Sequence, residues 1–178
     1  MSKELEDLCT DHANMRALLQ ILESELERYR AGQRADFELL ESKVNEAVLF
    51  QNLVHHEKED LVFKRLIQRD PDGAEEILGL LTDHARLALI TRRLTSALSK
   101  VASGIQVPRG WIEQLLLDYV TTTRLHMDME EKKFFPRAAD NLTDGDWHEI
   151  DAITERIKGE FLQPFWRSLA MWVGKQEG

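Results

Sequence analysis

The chain has 178 residues, 31% charged and 43% hydrophobic, with 9 Gly and 4 Pro, a composition that suits one soluble, strongly helical domain with a sizeable core. A net charge of −9 argues against a nucleic-acid surface, which needs clustered Lys and Arg, and a single cysteine excludes an internal disulfide. No apolar run approaches the roughly 20 residues of a membrane span and MSKELEDL carries no apolar signal core, so a cytoplasmic protein without a membrane partner is expected.

The first predicted helix covers residues 2–30, with Leu5, Leu8, His12, Met15, Leu19, Leu22, Leu26 and Tyr29 in steps of three and four. A short break at residues 31–34 contains Gly32, and so short a link joins antiparallel neighbours. The second helix spans residues 36–69, with Phe37, Leu40, Val44, Val48, Gln51, His55, Val62 and Leu66 on one face, and stops at Asp70-Pro71-Asp72-Gly73. The third, residues 74–101, aligns Ile77, Leu80, His84, Leu87, Leu94, Leu98 and Val101. Pro108 opens the fourth, which carries Ile112, Leu116, Tyr119, Thr123, His126 and Glu130 as far as Pro136. Thr143 or Asp144 caps a last helix from about residue 145, broken near Pro164, whose apolar face is Phe161, Phe165, Trp166, Leu169 and Trp172. The fold expected is all-α: an antiparallel up-and-down four-helix bundle over about residues 3–136, plus a C-terminal helical extension at about 144–174, within one domain of residues 1–178.

The bundle carries an internal duplication. Thr82–Ala85 repeats the Thr-Asp-His-Ala of Thr10–Ala13, and His126-x-x-x-Glu130 repeats His55-x-x-x-Glu59. The first histidines are 72 residues apart and the second 71. In each second motif His and Glu stand four apart, on one helix face. Each helix therefore brings one histidine to its inward stripe, and two of them add a glutamate.

Buried carboxylates without partners cost several kcal/mol each, so these must be paired or bound to metal. Imidazole with carboxylate suits iron, manganese or zinc better than copper(I) or calcium. Six ligands exceed what one closed zinc takes. They suit two ions roughly 3.5–4 Å apart, each with two imidazoles and one oxygen from each of two bridging glutamates. The metal ligands expected are His12, His55, Glu59, His84, His126 and Glu130. Cys9 reads as packing, as do Tyr119, Thr123, Met127 and Met129. His56, about 100° round the helix from His55, reads as rim or as an outer partner of the ligands, and His148 as surface. No nucleophile or phosphate loop accompanies the histidines, so no catalytic residue is assigned.

With those residues assembled, the chain resembles the hemerythrin-like family, the HHE cation-binding domains. The resemblance rests on His12, His55-x-x-x-Glu59-Asp60, His84 and His126-x-x-x-Glu130-Glu131 with its Phe-Phe-Pro ending, over residues 5–137. It implies a four-helix bundle holding a non-haem, carboxylate-bridged pair of iron ions, with zinc, nickel or manganese as substitutes. Oxygen-carrying hemerythrins have two histidines one turn apart on the third helix, whereas Leu80 and Ala88 flank His84 here at that spacing. The four-His, two-Glu set is more similar to bacterial iron-centre repair proteins of the same superfamily.

The function expected is a di-iron protein that binds O2, NO or a related small oxidant for sensing, storage or stress protection. The alternative is an enzyme-like role in peroxide or NO reduction, or iron donation to damaged iron–sulfur clusters. No protein partner is indicated, and a homo-oligomer is allowed.

Overall fold

Ser2 starts the first helix by accepting a hydrogen bond from Leu5 N on its hydroxyl, satisfying one of the free amides of the first turn. In this computed structural model, which describes residues 2–33, 35–50 and 55–157, α1 runs Lys3–Arg30 and α2 Phe37–Phe50. They are followed by α3 His56–Arg69, α4 Ala74–Ala102, α5 Arg109–Met129 and α6 Phe135–Asn141. Residues 144–157 form a further helix, α7, and no strand occurs among the described residues. Gln51 and the aromatic face expected around Pro164 lie outside them.

Two of the helix ends follow one rule. Gly32 and Gly104 both have positive φ, 79° and 78°. Gln33 N donates to Arg28 O and Ile105 N to Lys100 O, closing the same C-terminal motif after α1 and α4. The glycines stand 72 residues apart, the offset that separates His12 from His84. The duplication thus includes the turns as well as the ligand candidates.

The fourth predicted helix does not end at Pro136. It passes through a π-helical turn at Glu130–Phe134 and resumes as α6. Pro136 then falls in the first turn of α6, where a missing amide hydrogen costs little. Thr143 caps α7 reciprocally: Asp146 N donates to Thr143 Oγ1, and Thr143 N donates to Asp146 Oδ2.

α1 packs against α2 and α5, and α4 packs against α2, α3 and α5, which closes a helical bundle. The apolar residues form two clusters rather than one. The first gathers Leu19, Leu22, Leu40, Val44, Leu94, Leu98, Ile112, Leu116 and Tyr119. The second gathers Leu5, Leu8, Val62, Phe63, Leu66, Ile77, Leu80, Phe134 and Phe135, extended by Trp147 and Ile150 of α7. His12 lies between Leu8 of the second cluster and Met15 of the first on α1, and His84 between Leu80 of the second and Leu94 of the first on α4, so the histidines separate the two clusters. No described helix is long and apolar enough to cross a membrane.

Candidate metal centre

Glu59 and Glu130 have no exposed surface, and His12, His55 and His126 have 1%, 5% and 4%. All six predicted ligands meet between the apolar clusters. His12 Nε2 is 3.2 Å from Glu59 Oε1 and 3.5 Å from Glu130 Oε2. His55 Nε2 is 3.0 Å from Glu59 Oε1. On the other side, His84 Nε2 lies 3.5 Å from Glu59 Oε2 and 3.6 Å from Glu130 Oε1, while His126 Nε2 lies 3.1 Å from Glu130 Oε1. Each glutamate therefore turns one oxygen to His12 and its other oxygen to His84.

These approaches leave many donors unused. Glu59 Oε2, both oxygens of Glu130, His84 Nε2 and both ring nitrogens of His126 are buried without a hydrogen bond. Six such atoms in one place would be costly in a finished core, since each loses its water without a replacement. The donor set of imidazole nitrogen and carboxylate oxygen is the one borderline divalent cations prefer. Two overlapping groups have ligand atoms mutually within 4.8 Å: His12, His55 and Glu59, and His56, Glu59, His84 and His126. The residues present fit metal ions.

Behind the ring nitrogens that face the centre stands a layer of carboxylates. His12 Nδ1 donates to Glu131 Oε1 at 2.9 Å, His84 Nδ1 to Asp60 Oδ1 at 2.9 Å, and His55 Nδ1 to Asp11 Oδ2 at 3.2 Å. A carboxylate can only accept here, so each bond fixes the tautomer that leaves Nε2 turned to the centre. Glu131 is itself gripped by Arg16, whose Nη1 and Nη2 donate to its two oxygens at 2.7 and 3.0 Å. The signal for these partners was in the sequence. An acid follows each ligand glutamate directly (Asp60, Glu131), and Asp11 precedes His12. Asp60 and Glu131 stand in the family pattern and Asp11 in the repeated Thr-Asp-His-Ala, each next in sequence to a different ligand from the histidine it meets.

Electrostatics without metal follow from this layout. Burial disfavours an imidazolium at His55, but the charge of Glu59 and the bond to Asp11 outweigh it, raising His55 to about 10. His84 is raised to about 11, burial again being outweighed, here by Asp60, Glu130 and Glu59. Burial also opposes the charge on Glu59, yet His55, with the bonds from His12 and His55 and the nearby ring of His84, holds it well below the usual carboxylate range. The protons of two histidines thus balance charges that a metal would otherwise balance.

His56 stands at the edge of the centre, half-buried, and its ring stacks on His84 with centroids 4.2 Å apart and planes 16° apart. Burial, with the neighbouring His84, keeps it well below an ordinary imidazole, hence neutral at pH 7.

The remaining candidates stay outside the centre. Thr123 Oγ1 donates to Tyr119 O in its own helix, and Tyr119 is buried in the first apolar cluster. Met127 is buried, Met129 is 38% exposed and His148 is exposed. Burial and nearby Glu131 raise the Cys9 thiol, which suits unreactive packing against the second cluster.

Comparison with known proteins adds one finding. Neither a curated relative nor a solved structure matches the chain. The family model of the hemerythrin HHE cation-binding domain does match, over residues 4–138, and the chain belongs to that family.

Proposed function

We propose that this protein holds two iron ions through His12, His55, Glu59, His84, His126 and Glu130, and uses them to bind O2, NO or a related small oxidant. The observation that carries this reading is the division of each glutamate between the two sides of the site, Glu59 Oε1 near His12 and His55 and Glu59 Oε2 near His84. Glu130 mirrors it, with Oε2 near His12 and Oε1 near His84 and His126. A carboxylate so placed suits two cations better than one. We also read α1, α2 with α3, α4, and α5 with α6 as the four arms of an antiparallel bundle, nearer the four-His, two-Glu bacterial members than the oxygen carriers.

When bound, the iron pair supplies redox-active cations with a coordination position left over for a diatomic. The chain's residues do the rest. Asp11, Asp60 and Glu131 fix the imidazole orientation, as outer partners of ligating histidines do. Val62, Phe63, Leu80, Leu87 and Phe134, all buried, exclude bulk water and with it side reactions.

The test is anaerobic iron loading, reduction, and exposure to O2 and then NO under stopped-flow absorption. The reading expects new visible absorption within the mixing experiment at about one equivalent of gas per chain. Continued consumption beyond that would place the protein with the enzyme-like members. No spectral response to either gas would contradict the ligand-binding role.

A further inference from the structure

We propose that His56 is a fifth imidazole ligand, bound to the ion on the His84 and His126 side of the centre. The inference rests on the di-metal reading above and adds a residue to it. Two observations carry it. His56, Glu59, His84 and His126 each offer a ligand atom within 4.8 Å of all the others, a cluster in which His56 is the member no motif predicted. Its ring lies flat on His84 and edge-on to His126, with centroids 6.1 Å apart in the second case, so it must turn off the stack for its nitrogen to reach the ion that His84 binds. It is half-buried, and neither ring nitrogen takes a hydrogen bond from another described residue.

The local backbone explains how neighbouring histidines serve one centre. His55 and His56 stand four and three residues before Glu59, and both spacings put side chains next to each other on a helix. The second half of the duplication has Met127 at the corresponding place, three residues before Glu130 and buried in the first apolar cluster. The two sides of the centre are therefore unlike. The His12 and His55 side has two imidazoles, and the His84 and His126 side gains a third. The extra imidazole comes from the motif of α3, not from one turn away on α4, where Leu80 and Ala88 stand.

The experiment uses cobalt(II) as the probe, titrated anaerobically into the full chain, with His56→Phe beside it. Phenylalanine keeps the flat ring against His84 and removes only the nitrogen. Wild type should bind two ions. His56→Phe, its helical circular dichroism unchanged, should bind one as before and the other at least ~10-fold more weakly, with altered visible absorption. An independent reading comes from wild type alone: the cobalt protein should give five, not four, hyperfine-shifted exchangeable imidazole N–H signals. Two ions in wild type, with His56→Phe matching it in both affinities and absorption, would overturn the inference and leave His56 as packing. Four N–H signals would overturn it even if the variant failed to fold. Fewer than two ions in wild type would instead overturn the di-metal reading on which it stands.

Discussion

Glu131 reaches His12, Asp60 reaches His84 and Asp11 reaches His55, so three of the four motif histidines are braced by an acid from another helix. Removing such an acceptor frees the ring and lowers its basicity while leaving the ligand in place. Asp60→Asn and Glu131→Gln should each weaken metal retention about 10- to 100-fold in chelator competition, with helical content unchanged. Glu59→Ala and Glu130→Ala should do more, since each removes an oxygen from both sides of the site, and His148→Ala should do nothing. Equal retention in Glu130→Ala and His148→Ala would show that the glutamates are not ligands. At this scale the sequence was a good guide wherever a residue is repeated, because repetition in register survives without coordinates. It was silent on the stack of His56 against His84, because the second half of the duplication has Met127 in the matching place.

Elements obey terminal chemistry that can be tested one residue at a time. Gly32 and Gly104 hold φ values that L side chains rarely adopt, and a Cβ at either would meet no neighbouring atom. The cost of Gly→Ala there is then backbone strain alone, about 1 kcal/mol at each site, read from the denaturant midpoint. The cap of α7 gives a pH prediction. Arg69, then Thr143, hold the Asp146 carboxyl well below its ordinary value. A depressed carboxylate stabilises the fold above its unfolded pKa, about 3.9, and that contribution is lost as pH falls from there toward the folded value. Stability should therefore fall less steeply below about pH 4 in Asp146→Asn than in wild type, in urea melts across that range. The helices were legible because their apolar steps repeat over many turns and glycine or proline marks their ends. The π turn at Glu130–Phe134 was not, since Glu-Glu-Lys-Lys-Phe has the composition of any α-helical turn and only packing decides its width.

Across the whole molecule, a layer of histidines and glutamates divides two apolar clusters that would otherwise be continuous. Six buried polar atoms in that layer lack partners without metal, a cost that binding removes. Ions that bind the folded chain and not the unfolded one stabilise it by about 2.7 kcal/mol at a hundredfold excess over the dissociation constant. The melting temperature should accordingly rise on loading and fall on chelation. Glu59→Ala should abolish most of that difference. The central claim is that this layer holds two ions, and anaerobic iron loading followed by desalting and elemental analysis tests it most directly. Close to two iron ions per chain is the result predicted, and a value that plateaus at or below one would contradict it.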